Sequence, residues 1–238
     1  MKVALITGGS RGIGRAMVEL FTDAGYLVAF TYKSSHIDAE RLAARTGALA
    51  IAADSADPEA VARAVNTAEG RLGPINVLIN NAAVSSFSLF TDLTIDDWRA
   101  SFATNVDGAF LYSKLVLPSM IRNRSGRIIN ISSMWGQVGS SCEVHYSATK
   151  AALIGMTKAL AKEVGPSGIT VNCIAPGVID TDMNAALSED DMSALKEETP
   201  LMRIGTPREV ASAALFLAGD DAAFITGAVI NVNGGLVV

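Results

Sequence analysis

The sequence contains few of the residues on which several protein classes depend. Its 238 residues include only two cysteines, two histidines and two tryptophans. Two cysteines cannot build the disulfide framework of a small secreted protein, and Cys142 and Cys173 do not form a CxxC pair. No His/Cys cluster has the spacing of metal ligands, so no metal site is expected.

Excess positive charge and long apolar runs are also missing. Nineteen Lys and Arg against twenty-four Asp and Glu give a net charge of -5, which argues against a general nucleic-acid-binding protein. No apolar run approaches the roughly 18 residues of a membrane span, and the opening segment MKVALITGG is too short for a signal peptide. We therefore expect a cytoplasmic protein that binds neither nucleic acid nor membrane.

Half of the residues are hydrophobic, which excludes intrinsic disorder, and short β-branched runs alternate with amphipathic segments. The predicted strands are Val3–Thr7, Leu27–Tyr32, Ala48–Ala53, Val77–Asn80, Arg127–Ser132, Thr170–Ile174 and Val229–Val232. The predicted helices cover about residues 12–24, 38–46, 58–71, 95–123, 145–164 and 207–218. This alternation predicts an α/β fold of the Rossmann type, a doubly wound parallel sheet with helices on both faces. Because no linker or repeat interrupts it, a single domain over residues 1–238 is expected.

The least regular stretch is Asp182–Pro200, which is polar and acidic and follows the sixth predicted strand. Ligands of such sheets bind at the carboxyl ends of the strands, so we interpret this stretch as a lid over the site. A surface helix without a functional role is the alternative. The adjacent carboxylates Asp190-Asp191 and Glu197-Glu198 are interpreted as a solvated face rather than a metal site.

A glycine-rich segment, TGGSRGIG at residues 7–14, follows the first predicted strand and precedes a helix. Glycines permit the tight turn and allow the backbone to approach a pyrophosphate at the helix N-terminus. At the end of the second strand, no acid occurs before Asp38, whereas Lys33 and Arg11 offer positive charge. An acid there would bind the ribose hydroxyls of NAD and repel a 2′-phosphate, so this pattern favours NADP(H). Two solvated surface cations are the alternative.

Tyr146 and Lys150 are four residues apart at the start of an apolar helix, which places both on one helix face. A tyrosine titrates near pH 10, and a nearby ammonium group lowers that pKa toward neutrality. Ser133 ends the fifth predicted strand, where its hydroxyl could bind a substrate carbonyl, and Asn105 enters a long apolar helix. These four side chains are candidates for acid–base chemistry on a carbonyl.

Taken together, the motifs TGGSRGIG, NNAA at 80–83, Asn105, Ser133, YSATK at 146–150 and APGVIDT at 175–181 resemble those of the short-chain dehydrogenase/reductase family. The resemblance in order and spacing covers essentially the whole chain, although Ala83 stands where the family usually has glycine. It implies an NADP-dependent carbonyl reductase in which Tyr146 protonates the oxygen and Lys150 lowers the tyrosine pKa and binds the nicotinamide ribose. In the same way, Ser133 would polarise the carbonyl and Asn105 would hold a proton-relay water.

The resemblance also implies the contacts of the cofactor. Asp54 would face the adenine, while Ile179 and Thr181 would engage the nicotinamide carboxamide. The implied cofactor-binding residues are Gly8, Ser10, Arg11, Gly12, Ile13, Gly14, Tyr32, Lys33, Asp54, Ser55, Asn81, Ala82, Ala83, Tyr146, Lys150, Pro176, Gly177, Ile179 and Thr181.

Within the family, the segments PLMRIGTPREVA and ITGAVINVNGG resemble the 3-oxoacyl-acyl-carrier-protein reductases. That resemblance implies a 3-oxoacyl thioester as substrate, a role in fatty acid biosynthesis and acyl carrier protein as partner. Arg124 matches one basic docking residue, but Ser167 occupies the position of the other, and the net charge of -5 disfavours an acidic partner. The ketone is therefore expected to be either small or carrier-bound.

Two other functions remain open. Residues 134–145 resemble a branch of these reductases that acts on an aminopentanone-modified lysine of elongation factor P, where Glu143 would favour a cationic substrate. A non-catalytic NADP-sensing module is the other possibility, and the intact set of candidate catalytic residues argues against it. The family also implies a homotetramer, built through the helices at 95–123 and 145–164 and the C-terminal segment.

Overall fold

A computed structural model describes residues 1–182 and 188–237 of the chain. In this part, seven strands form one sheet in the order β3-β2-β1-β4-β5-β6-β7, and every neighbouring pair is parallel. The strands are β1 (Val3–Ile6), β2 (Leu27–Tyr32), β3 (Leu49–Ala52), β4 (Ile75–Asn80), β5 (Gly126–Ile131), β6 (Ile169–Pro176) and β7 (Val229–Val232). The strand order reverses between β1 and β4, which is the point where Rossmann sheets bind ligands.

Helices cover both faces of the sheet. They are α1 (Gly12–Asp23), α2 (His36–Thr46), α3 (Pro58–Leu72), α4 (Ile95–Phe102), α5 (Gly108–Asn123), α6 (Trp135–Val138), α7 (Val144–Val164), α8 (Glu189–Glu198) and α9 (Pro207–Ala218). Helices α1, α2 and α9 enclose one apolar core, and α3, α5 and α7 enclose the other. Successive strand residues alternate between the two cores: Ala4 and Ile6 face the first, Val3 and Leu5 the second. The predicted doubly wound α/β fold is therefore confirmed.

The seven predicted strands are present, β2 and β7 with the predicted ends and the other five with shifted ends, and one predicted helix is divided. The expected helix over 95–123 consists of α4 and α5 joined by a π-helical turn at Ala103–Asp107. The turn holds Asn105, whose buried amide binds groups outside the helix. A π-turn inserts an extra residue into a helix, and such turns are frequent at functional sites.

The stretch Asp182–Pro200, interpreted from the sequence as irregular, contains α8. Ser188 caps this helix by accepting from the Asp191 amide at 3.1 Å, and the Asp191 carboxylate in turn accepts from the Ser188 amide at 3.0 Å. The acidic pairs of this helix are exposed, as expected of a solvated face. The rest of the proposed lid, residues 183–187, lies outside the described residues.

Within the described residues, no helix combines the length and the apolar character that crossing a bilayer requires.

Candidate active site

The glycine-rich segment forms a tight loop between β1 and α1. A Cβ atom on Gly14 would lie 2.1 Å from the Gly8 carbonyl oxygen, and one on Gly8 would lie 2.9 Å from Ala82 Cα, so neither position has room for a side chain. Gly8 also has a φ of 66°, which glycine adopts without strain. Arg11 precedes α1 without capping it through its side chain, so the first turn of the helix remains suited to an anion. These features fit a pyrophosphate-containing cofactor.

The NNAA segment after β4 fastens the glycine loop. The amide of Asn81 donates through Nδ2 to the carbonyls of Thr7 at 2.9 Å and Gly8 at 3.1 Å. The backbone N–H groups of Asn81 and Ala82 both donate to the Thr7 hydroxyl at 2.9 Å. Asn81 and Ala82 thus lie beside the loop, and the side-chain amide of Asn81 holds it in place.

The two cations expected to meet a 2′-phosphate differ in their partners. Lys33 Nζ lies 2.7 Å from Asp54 Oδ2, so this lysine is already paired with the residue expected to face the adenine. Burial alone would raise the pKa of Asp54, but the Lys33 ammonium and the Ala56 amide outweigh it and leave that pKa lowered. The exposed side chain of Arg11 makes no ion pair or hydrogen bond within residues 1–182 and 188–237. Tyr32 is buried, and its hydroxyl lies 2.8 Å from His36 Nδ1.

The APGVIDT segment at the end of β6 also approaches the glycine loop. Pro176 is the last residue of β6, and Ile179 is buried where it forms an isolated parallel bridge. Thr181 approaches the loop closely, because a Cβ on Gly12 would lie 3.4 Å from its methyl carbon. Gly177, which follows Pro176 in the chain, has no room for a side chain.

The four candidate catalytic residues are all buried, and three of them converge at the end of β5. Ser133 follows this strand and accepts a hydrogen bond from the Trp135 amide at 3.1 Å. Lys150 Nζ donates to the Ile131 carbonyl at 2.8 Å and lies 5.4 Å from the centroid of the Tyr146 ring. The structure thus brings Tyr146 and Lys150 together, as their spacing predicted, and places Ser133 within hydrogen-bond reach of Tyr146.

Burial shifts the pKa values of both Tyr146 and Lys150. Burial, reinforced by the Glu143 carboxylate and opposed by a Ser133 hydrogen bond, raises the pKa of Tyr146 to about 12. Burial also lowers the pKa of Lys150 to about 8, with Cys173 acting in the opposite direction. The Lys150 ammonium donates to the Ile131 carbonyl in this structure, so the expectation that it lowers the pKa of Tyr146 stays a prediction. At neutral pH Tyr146 carries its proton, which is the form required of a general acid.

Asn105 makes three hydrogen bonds that leave its amide little freedom. Its Oδ1 accepts from the Val84 amide at 2.8 Å, and its Nδ2 donates to the Val84 carbonyl at 2.9 Å and to Thr149 Oγ1 at 3.0 Å. Both donors of the amide are used within the protein, and the expected role of Asn105 toward a relay water stays a prediction. The structure shows Asn105 joining the segment after β4 to α7.

Sequence reasoning missed Ser132 and Gly136 around this site and named Glu143 only for its effect on the substrate. Ser132 donates to the Lys150 carbonyl at 2.8 Å, and Gly136 lies so close that a Cβ would be 2.7 Å from the Lys150 carbonyl carbon. The buried Glu143 accepts from Ser85 Oγ at 2.6 Å. The available sequence signal was a hydroxyl-bearing or small residue within three positions of a predicted catalytic residue. That signal does not show which groups the residue contacts in the folded chain.

The described residues contain no group of three or more His, Cys, Asp or Glu side chains arranged to hold a metal ion. Cys173 is buried in β6, and burial raises the pKa of its thiol to about 11.

Comparison with known proteins places this architecture among characterised enzymes. A family model described as enoyl-(acyl carrier protein) reductase matches residues 8–237. The 3-oxoacyl-[acyl-carrier-protein] reductase FabG of Vibrio harveyi is 41% identical over 99% of this chain and 97% of its own. The acetoacetyl-CoA reductase of Shinella zoogloeoides is 43% identical over 98% of each chain.

Two solved structures extend the comparison. A blue fluorescent protein from a metagenomic library, in complex with NADPH, is 40% identical with a TM-score of 0.94, covering 100% of this chain and 98% of its own. A mutant of a Serratia marcescens short-chain dehydrogenase/reductase is 38% identical with a TM-score of 0.92, covering 99% of this chain and 97% of its own. With the glycine loop and the Ser133–Tyr146–Lys150 group in place, these similarities show that the chain belongs to the short-chain dehydrogenase/reductase family.

Proposed function

We propose that this protein is an NADPH-dependent ketone reductase whose substrate is a 3-oxoacyl thioester. The observation that carries the proposal is the convergence of Ser133, Tyr146 and Lys150 at the carboxyl end of β5, in the same sheet whose β1 feeds the glycine loop. Ligands of such sheets bind at these carboxyl ends, so cofactor and carbonyl would meet beside the three side chains.

NADPH, when bound, supplies the hydride that the carbonyl carbon accepts. The glycine loop and the first turn of α1 would hold its pyrophosphate, and Arg11 would bind its 2′-phosphate. Ser133 donates a hydrogen bond to the carbonyl oxygen and orients it toward Tyr146. Tyr146 gives that oxygen its phenolic proton, and the Lys150 ammonium stabilises the phenolate that remains.

The substrate class is supported by the names of the relatives. The Vibrio harveyi protein is named for a 3-oxoacyl group on acyl carrier protein and the Shinella zoogloeoides protein for the corresponding coenzyme A thioester. A separate question is whether the 3-oxoacyl group is carried by acyl carrier protein or by coenzyme A. At the surface expected to dock an acidic carrier, Arg124 donates to the neutral Pro166 carbonyl at 3.2 Å and keeps its charge, whereas Ser167 carries none. Both carriers are anionic, so the carrier-bound and the coenzyme A thioester are both candidate substrates.

A second candidate substrate is favoured by Glu143. This carboxylate is only 7% exposed, and no lysine or arginine of the described residues pairs with it. A buried charge without a partner is costly, so a substrate that carries a cation would compensate it. The aminopentanone-modified lysine of elongation factor P is such a substrate.

Consumption of NADPH by the purified protein separates these functions. Acetoacetyl-CoA, acetoacetyl-acyl carrier protein and the modified elongation factor would be offered at equal concentration, with Tyr146→Phe as the inactive control. Reduction of either thioester with a higher kcat/KM than the modified factor supports the proposal, and the preferred thioester identifies the carrier. Preference for the modified factor supports the second candidate, and NADPH binding without turnover of any ketone would indicate a non-catalytic module.

We also propose that the protein assembles as a homotetramer. Helix α5 exposes Phe110, Leu115 and Ile121, and the C-terminal part exposes Phe216 and Phe224. Apolar side chains of this size at two separate places support two interfaces, as a tetramer of twofold symmetry requires. Light scattering of the purified protein tests this, and a monomeric mass contradicts it.

A further inference from the structure

Thr149 lies between the candidate catalytic residues and makes two hydrogen bonds inside the protein. Its hydroxyl donates to the Tyr146 carbonyl at 2.7 Å and accepts from Asn105 Nδ2 at 3.0 Å. The side chain is fully buried, so no water substitutes for either partner at this position. Thr149 also directly precedes Lys150.

These bonds form part of a longer chain of contacts. Asn105 binds both the backbone N–H and the carbonyl of Val84. Thr149, which binds Asn105, donates to a carbonyl in the first turn of α7. The segment that follows β4, the π-turn and the helix that carries Tyr146 and Lys150 are therefore joined through one hydroxyl group.

The same helix contains a close structural match to Thr149. Thr157 is also fully buried, donates to the Leu153 carbonyl at 2.8 Å and accepts from Asn130 Nδ2 at 2.8 Å. Neither of its partners is a candidate catalytic residue. The two threonines thus share burial, helix and hydrogen-bond chemistry, and differ in whether their partners belong to the catalytic group.

We propose that Thr149 is a positioning residue of the reductase, an inference that rests on the proposed function: its hydroxyl couples Asn105 to α7 and thereby sets where the Tyr146 phenol and the Lys150 ammonium lie. The hydroxyl touches neither substrate nor cofactor. Its effect is on catalysis because proton transfer depends steeply on the distance between donor and acceptor. The π-turn supplies the other half of the arrangement by directing Asn105 toward α7.

The test compares Thr149→Val with Thr157→Val, since valine keeps the shape of threonine and removes the hydroxyl. We expect Thr149→Val to lower kcat for ketone reduction by roughly tenfold to a hundredfold, with little change in the KM for NADPH. Thr157→Val should lose a similar amount of thermal stability and keep its kcat. Thr149→Ser, which restores the hydroxyl, should recover most of the activity. If the valine variants do not fold, Thr149→Ala and Thr157→Ala make the same comparison.

A spectroscopic measurement makes the test independent of turnover. The ¹³Cζ resonance of Tyr146, assigned in labelled protein with Tyr146→Phe, should shift in Thr149→Val and stay unchanged in Thr157→Val. Equal losses of kcat in the two valine variants, an unshifted Tyr146 resonance or failure of serine to restore kcat would each overturn the inference. A wild-type protein that reduces no ketone would overturn the proposed function instead, while the resonance would still decide the role of Thr149.

Discussion

The ammonium of Lys33 lies 2.7 Å from the carboxylate of Asp54, and this pair joins the end of β2 to the segment after β3. Both residues were expected to contact the cofactor directly, Lys33 at the 2′-phosphate and Asp54 at the adenine. Their pairing leaves Arg11, whose side chain no described residue binds, as the cation free to meet a phosphate.

Cofactor preference should therefore depend more on Arg11 than on Lys33. We expect Arg11→Gln to raise the KM for NADPH about tenfold and to leave the KM for NADH unchanged, because only NADPH carries the 2′-phosphate. Lys33→Gln should have a smaller effect, and Asp54→Asn should lower the KM for NADPH by releasing Lys33. Steady-state kinetics with both cofactors measures this, and a larger loss in Lys33→Gln than in Arg11→Gln contradicts it.

Removal of the Tyr146 hydroxyl should abolish reduction without affecting cofactor binding. We expect Tyr146→Phe to lower kcat by about 10²- to 10⁴-fold, the usual contribution of a positioned general acid. Fluorescence titration should give wild-type affinity for NADPH, since the phenyl ring fills the same space. Retained turnover in this variant would refute the assignment of the proton donor.

The pH dependence of reduction should reflect Lys150 rather than Tyr146. Burial holds the pKa of Lys150 at about 8, so its ammonium is lost as the pH rises through that value. Tyr146, with a pKa of about 12, keeps its proton over the same range. We expect kcat/KM to be constant below pH 8 and to fall above it, because this ratio reports groups of the free enzyme. A profile that stays flat to about pH 10 contradicts the role given to Lys150.

The glycine loop should tolerate no side chain at Gly14. Its Cβ would lie 2.1 Å from a backbone oxygen, so Gly14→Ala should destabilise the fold by about 3 kcal/mol or more. Gly70→Ala is the matched control, because Gly70 lies in α3 with nothing within 4 Å of a Cβ, and alanine there should stabilise by about 0.5–1 kcal/mol. Thermal unfolding of both variants tests this, and equal melting temperatures would show that the loop can move.

Assembly should depend on the exposed apolar face of α5. We expect Leu115→Glu to dissociate the proposed tetramer, because an interface core cannot bury an unpaired carboxylate. Ile37→Glu is the control, since Ile37 is also apolar and exposed but lies on α2. Light scattering that shows the same mass for Leu115→Glu and the wild type contradicts this interface.

Most of the fold follows from local sequence patterns. The apolar runs of the strands and the Asp57-Pro58 and Thr206–Glu209 caps predict their elements because they depend on neighbours in the chain. The Ser188–Asp191 capping box is a local signal of the same kind within an acidic stretch. The π-turn at Ala103–Asp107 could not be predicted, because Asn105 is held there by Val84 and Thr149, which are distant in sequence.

The candidate site divides in the same way. The sequence by itself determined which residues are candidates for the site. The glycine spacing is a property of one loop, and the four-residue interval between Tyr146 and Lys150 is a property of one helix. Only the tertiary structure decided the contacts and the pKa values of these side chains. The pairing of Lys33 with Asp54, the pKa of Tyr146 of about 12 and the contact of Asn105 with Thr149 join residues from separate elements. Burial and distance set these properties, and neither is defined until the chain has folded.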